Sequence, residues 1–155
     1  MTTADVPLLV DCVSRVLAKG PPLRLGILFG SGARGARRPD SDIDLGIVPR
    51  DSELPLALEL DLQARLEHAC RCPVDLVRLD RAPTLLRWEV ARRGVLVWAD
   101  PPEGFSRFVA TAALEHADLM TTLAHAAERF RRRLVERALD RYASAIARFV
   151  PPPTS

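Results

Sequence analysis

Apolar residues recur at helical spacing from Asp5 to Ala18, where Leu8, Leu9, Cys12, Val13, Val16 and Leu17 fall on one side and Gly20-Pro21-Pro22 stops the run. Leu23 to Phe29 is then a short, largely apolar run that predicts a buried strand, ending in the glycine-rich segment Gly30-Ser31-Gly32-Ala33-Arg34-Gly35. Ser41 to Val48 alternates apolar and polar residues, the signature of a second strand. Leu54 to Arg71 carries Leu58, Leu62, Leu66 and Ala69 on one helical face, and Pro73 ends it. Val74 to Leu79 predicts a third strand, Thr84 to Arg93 a helix closed by Gly94, and Val95 to Ala99 a short fourth strand. From Gly104 to about Val150 the pattern is helical throughout, as one long helix or two. The order helix–strand–strand–helix–strand–helix–strand plus a helical tail implies an α+β or α/β core with a small mixed sheet flanked by helices.

Length and composition narrow the class. A chain of 155 residues, 48% hydrophobic and 27% charged, is expected to form a single globular domain over residues 1–155. Its core is expected over about 5–100, with a helical extension over about 104–150. No apolar stretch reaches the roughly 18 residues a membrane span requires, and the N-terminus, with Asp5 and no basic lead-in, does not read as a signal peptide. Cys12, Cys70 and Cys72 make an odd count that suggests no disulfide framework, so a reducing cytoplasm is the expected location. A net charge of +2 implies no strong pull towards nucleic acid, and direct nucleic-acid binding is not expected. Of the 22 basic residues only Lys19 is a lysine, a bias that a GC-rich genome explains, although arginine also suits phosphate and carboxylate contacts.

The chemistry concentrates between Phe29 and Val48. Gly30, Gly32 and Gly35 satisfy the spacing of a dinucleotide-binding turn, but that turn must open a helix and lead to another strand. Only Ala36 to Ser41, with Pro39 among them, separates the glycines from the next strand, so no crossover helix fits. A phosphate-binding Walker loop is excluded as well, because no Gly-Lys-Ser/Thr follows. Asp42 and Asp44 stand two apart in a strand and project from the same face. Two carboxylates so close repel unless a cation or shared proton intervenes. Arg37 and Arg38 are one source of neutralisation; a divalent metal explains the pair better, since Mg²⁺ takes one or two carboxylates together with substrate phosphate oxygens. Asp75 lies one residue into the third strand among Val74, Leu76 and Val77, where a charge needs a reason. If that strand adjoins the second, the three carboxylates converge and can hold two ions roughly 3.5–4 Å apart. Gly30 lets the backbone approach a phosphate, and the N–H groups around Ser31 and Gly32, with the Ser31 hydroxyl, are donors for it. Ser31 to Gly35 is expected to open a short helix; Arg34 either supplements this phosphate site or pairs with a core carboxylate.

Gly-Ser, ten residues, then Asp-x-Asp, with a later Asp on its own strand, resembles the nucleotidyltransferase superfamily related to DNA polymerase β. The pattern G-S-x-A-x-G…S-D-x-D-L is matched at Gly30, Ser31, Ala33, Gly35, Ser41, Asp42, Asp44 and Leu45, and the element order agrees from about Leu8 to Ala99. In compactness the chain is similar to the minimal nucleotidyltransferases, especially the MntA-type antitoxins. The resemblance implies that Asp42, Asp44 and Asp75 are catalytic magnesium ligands and that Gly30 and Ser31 hold the phosphates of ATP, with Gly32 and Arg34 beside them. It further implies transfer of AMP to a hydroxyl of a protein partner, a HEPN-family RNase toxin modified on a tyrosine. Two other classes stay open: an antitoxin that works by binding alone, and a nucleotidyltransferase acting on a small alcohol such as an aminoglycoside.

The tail bears on the partner. Phe105, Phe108, Ala112, Leu119, Leu123, Phe130, Leu134, Ile146 and Phe149 form a seam that either packs on the chain's own core or, where it outruns the sheet, faces a partner. Arg129, Arg131, Arg132, Arg133 and Arg137, relieved by Glu128 and Glu136, read as a solvated face. His116 and His125, nine apart, lie on opposite sides of a helix and share no metal. Cys70 and Cys72 lack a second pair for zinc, and Trp88 and Trp98 read as core or interface residues.

Overall fold

Two prolines after the first amphipathic helix and a third before the third strand set the punctuation that the backbone follows. The computed structural model describes residues 5–33 and 42–149. The elements are α1 (Asp5–Leu17), β1 (Leu23–Phe29), α2 (Gly30–Ala33), β2 (Ile43–Pro49), α3 (Leu56–Cys70), β3 (Val74–Arg78), α4 (Thr84–Arg93), β4 (Val95–Ala99) and α5 (Gly104–Phe149). The fold is α+β, and the four strands form one mixed sheet in the order β3-β2-β1-β4. β1 pairs antiparallel with β2 and with β4, whereas β2 and β3 run parallel. The predicted tail is one helix. β2 begins two residues later than its alternation suggested, because Ile43 is the first residue to join the ladder, through its N–H to the Pro73 carbonyl at 2.9 Å.

Two compact units are present, Met1–His116 and Ala117–Ser155. In the first, the sheet is covered on both faces. On one, Ile43, Leu45 and Ile47 of β2 pack with Leu28 and Val74 against Val13 and Leu17 of α1 and Leu62 and Leu66 of α3. On the other, Leu25 and Ile27 pack with Leu79, Val90 and Ala91, and with Phe108 and Ala112 from the first turns of α5. The core therefore reaches past residue 100 into the predicted tail, and among the described residues the seam positions buried by its own sheet are Phe108 and Ala112, with Phe105 partly covered. In the second unit α5 is exposed at every side chain from Thr121 to Ile146. The arginine stretch there is solvated, as expected, with Arg131 paired to Glu128 at 2.7 Å.

α3 carries the central load of the first face. Leu62 and Leu66, one turn apart, are both fully buried. Truncating such a leucine removes its transfer energy and leaves a void, so Leu66→Ala is expected to cost about 2–5 kcal/mol of stability, read as a lower urea midpoint. A loss under about 1 kcal/mol would mean that α3 relaxes onto the sheet. The same helix also sets the start of β3: the Gln63 amide donates to the Val74 carbonyl at 2.9 Å, and the Val74 N–H donates to Glu67 Oε1 at 3.3 Å. At the far end of β3, Arg78 binds Asp80 at 2.7 Å and the Ser52 carbonyl at 3.0 Å. Its guanidinium is the first cause holding the Asp80 carboxyl below the ordinary range.

Candidate functional site

β1 ends at Phe29, and the next residue turns the chain with a left-handed φ of +66°, which glycine adopts without penalty. Gly30, Ser31 and Gly32 are the first three residues of the four-residue α2, so the short helix expected after the first strand is present. Phe29 pairs across the β1–β2 ladder with Asp44, which brings the turn beside that carboxylate. The approach is close enough that a Cβ built on Gly30 would lie 2.0 Å from Asp44 Oδ2 and 2.9 Å from its Cγ. Only a residue without a side chain fits there while the carboxylate keeps its position.

Side-chain alternation places the carboxylates. Ile43, Leu45 and Ile47 face α1 and α3, so Asp44 points to the opposite face, the one shared with α4 and α5. Asp42, two residues earlier, precedes β2 and is exposed. Asp75 of β3 is the in-register parallel partner of Asp44, so the adjoining of the second and third strands is realised. Register is held by the Ile43 N–H on the Pro73 carbonyl and by the contacts of Gln63 and Glu67 with Val74. The Asp44 carboxyl is pushed up from its ordinary value of 3.8, first by partial burial and then by the charges of Asp75 and Asp42. Among the described residues none of the three carboxylates has an ion pair. Equally, no three His, Cys, Asp or Glu side chains among the described residues converge into a ready-made cage. The strands adjoin as expected, but the expected convergence of all three carboxylates is not present: Asp44 and Asp75 are register partners, whereas Asp42 lies before the strand.

Arg34, Gly35 and Ser41, and the arginines Arg37 and Arg38, lie outside the described residues. Sequence reading missed two neighbours of the turn. Glu89 and Arg93 of α4, with Phe29, Gly30 and Val90, line a pocket of about 140 Å³ against Gly30. Arg93 Nε stands 3.5 Å from Glu89 Oε2. Nothing local in the sequence marks them, since their i,i+4 spacing is that of any surface helix pair. His116 stacks on Trp88, with ring centroids 4.9 Å apart, and the Trp98 indole donates to the Leu23 carbonyl at 3.1 Å. Both tryptophans have packing roles.

Comparison with known proteins bears on the family and the fold. A model of the family described as polymerase beta, nucleotidyltransferase, matches residues 13–103. The chain is 36% identical over 78 residues to the protein adenylyltransferase MntA of Shewanella oneidensis, a stretch that is 50% of this chain and 55% of the relative. It thus spans about half the length of that curated relative. Among solved structures, one described as a toxin–antitoxin with AMP-PNP superposes with a TM-score of 0.65 at 24% identity, covering 84% of this chain and 98% of the other. Another, of tri-AMPylated Shewanella oneidensis HEPN toxin in complex with MNT antitoxin, gives a TM-score of 0.61 at 23% identity, covering 86% and 98%. At these identities the superpositions establish the fold.

Proposed function

The chain belongs to the polymerase beta nucleotidyltransferase family, and from that premise we propose that it is an antitoxin that transfers AMP from ATP to a tyrosine hydroxyl of a cognate HEPN toxin. The observation that carries the reading is the Gly30 backbone seated against the Asp44 carboxylate, with Asp75 paired beside it in register. In this reading the N–H groups of the turn and the Ser31 hydroxyl bind the triphosphate, where a side chain at position 30 would exclude it. The same reading assigns Gly32 and Arg34, the latter outside the described residues, to phosphate binding. Asp44 and Asp75, paired in register, with Asp42 two residues before Asp44, would supply the hard oxygen ligands that suit Mg²⁺. Bound there, the ion neutralises triphosphate charge and stabilises the departing pyrophosphate. Asp75, on its own strand, accepts the proton of the acceptor hydroxyl. The acceptor oxygen forms a bond to the α-phosphorus as the bond from that phosphorus to the bridging oxygen breaks, and pyrophosphate leaves.

Two observations favour a protein acceptor. The relatives include a protein adenylyltransferase and a complex of MNT antitoxin with an AMPylated toxin. The second unit also exposes Leu123, Phe130, Leu134, Leu139, Tyr142 and Ile146 on α5, apolar surface that a partner protein would cover. A cytoplasmic site of action fits an ATP-dependent reaction. Among the described residues no helix is long and apolar enough to cross a membrane.

The test is co-expression with the product of the adjacent gene, followed by intact-protein mass spectrometry of that product. A gain of whole AMP units is expected with the wild-type chain, with the adduct mapping to tyrosine. No gain, together with tight binding of the partner, would replace this reading with neutralisation by binding alone. Neither gain nor binding, with AMP transfer to an aminoglycoside instead, would make the acceptor a small alcohol.

A further inference from the structure

A second cavity in the first unit, larger than the one against Gly30, lies away from the carboxylates. It has a volume of about 490 Å³, inside the roughly 300–1,000 Å³ range of small-molecule sites. Leu25 and Val48, which are paired across the β1–β2 ladder, line it, whereas Phe29 and Asp44 pair at the other end of that ladder. Four strand residues at about 3.3 Å each put roughly 13 Å between Leu25 and Phe29 along β1. The cavity is thus separate from the Gly30 turn.

Its lining is lopsided in charge. Arg24, Arg50, Arg87 and Arg107 converge on it, with Asp100 as the one acidic lining residue. Asp100 is already engaged by Arg50. Arg87 is held by Glu115, which takes its Nη1 at 2.8 Å, and its Nε is buried with no hydrogen-bond acceptor among the described residues. Arg24 and Arg107 have no ion pair among the described residues. With Arg50 and Arg87 compensated by Asp100 and Glu115, Arg24 of β1 and Arg107 of α5 are left as two like charges on one cavity, which an anion between them would relieve. Beneath the guanidinium groups Leu25 and Phe108 supply an apolar floor.

We infer that this cavity is a second binding site, taking a compact phosphate-bearing organic molecule of mononucleotide size, its phosphate gripped by Arg24, Arg87 and Arg107 and its organic part resting on Leu25 and Phe108. Guanidinium forks match phosphate geometry in two-point contacts, and a mixed apolar and cationic concavity suits a molecule with both parts better than it suits bare inorganic ions. The inference is independent of the reaction proposed above, since it uses none of those residues.

AMP is the probe. The ¹⁵N-labelled full chain is titrated with AMP, and backbone amide shifts are followed at Arg24, Arg50, Arg107 and Thr111. Saturable shifts at these positions are expected, and Arg24→Ala/Arg107→Ala should weaken the affinity they report by at least about tenfold. Both replaced side chains are exposed and lack ion pairs among the described residues, so the fold is expected to survive, and an unchanged melting temperature checks that. Shifts confined to the surroundings of Gly30 and Asp44 would overturn the inference, as would full affinity in the double variant. Shifts at the arginines produced by a short single-stranded oligoribonucleotide and not by AMP would also overturn it, in favour of a nucleic-acid contact.

Discussion

Asp44→Asn is expected to lower AMP transfer by at least roughly 10²–10³-fold, the scale of removing a group that stabilises transition-state charge, while the variant melts no lower than the wild type. The two halves of that result have one cause. Asp44 is held above its ordinary pKa of 3.8 by partial burial and by Asp75 and Asp42. A carboxyl whose pKa is raised on folding binds protons more tightly in the folded chain than in the unfolded one. Its contribution is therefore most favourable below pH 3.8 and drains away as the pH rises through the folded value. At neutral pH and without a divalent cation, the ionised group is a standing cost to the fold. Asparagine keeps the shape and removes that cost, but it also removes a hard anionic ligand. Pyrophosphate release measures the first half of the prediction, and thermal melting in the presence of a chelator measures the second. Undiminished transfer would exclude Asp44 from the reaction. A markedly lower melting temperature would show that its carboxylate has a structural partner.

Gly30→Ala is expected to cripple transfer to a similar degree and, unlike Asp44→Asn, to destabilise the chain by about 1–3 kcal/mol, the cost of a residue forced into a sparsely populated backbone region. Two effects coincide at this residue. Its φ of +66° is disfavoured for an L side chain, and the added Cβ would lie 2.0 Å from Asp44 Oδ2. Either the turn or the carboxylate must move, and each move separates the phosphate donors from the acidic ligands. A double-mutant cycle separates the two contributions. In an Asp44→Ala background the clash with the carboxylate oxygens is gone and only the backbone penalty remains, so Gly30→Ala should cost less there. A coupling within the usual 0.5–3 kcal/mol range for contacting residues is expected from urea denaturation. Strict additivity would show that turn and carboxylate do not press on each other.

Much of this site is legible along the chain because its parts are local. A glycine-serine turn after an apolar run, and two aspartates two apart in an alternating segment, are defined by neighbours within about fifteen residues. Strand alternation predicts Asp42 and Asp44 on one face, but the strand begins at Ile43, so the rule reaches Asp44 and not Asp42. The element order is legible for the same reason: periods of 2 and 3.6 are short-range properties, and Pro21, Pro22, Pro73 and Gly94 interrupt them where helices end. The tail is the instructive exception. Its apolar seam is continuous from Phe105 to Phe149 in sequence, yet among the described residues Phe108 and Ala112 are the seam positions buried in the core, while Leu123, Phe130 and Leu134 are exposed. Periodicity states which face is apolar, and the extent of the sheet decides how far that face is covered.

By itself, then, the sequence determined the order and type of the elements, the glycine turn at Gly30, the carboxylate pair and the placing of Asp75 on a strand. Tertiary structure alone decided that β3 lies parallel beside β2 in the register that sets Asp75 against Asp44, and that Glu89 and Arg93 of α4 come to the Gly30 turn. It also decided that the Cys12 and Cys70 thiols, 58 residues apart, lie 3.7 Å from each other, and that arginines from four separate segments line one cavity. The difference has a physical basis. Backbone periodicity and turn preferences act between residues close in the chain, so they are written in local spacing. Which strand edges pair and which helix covers which face depend on packing the whole core at once, and no short stretch of residues contains that information.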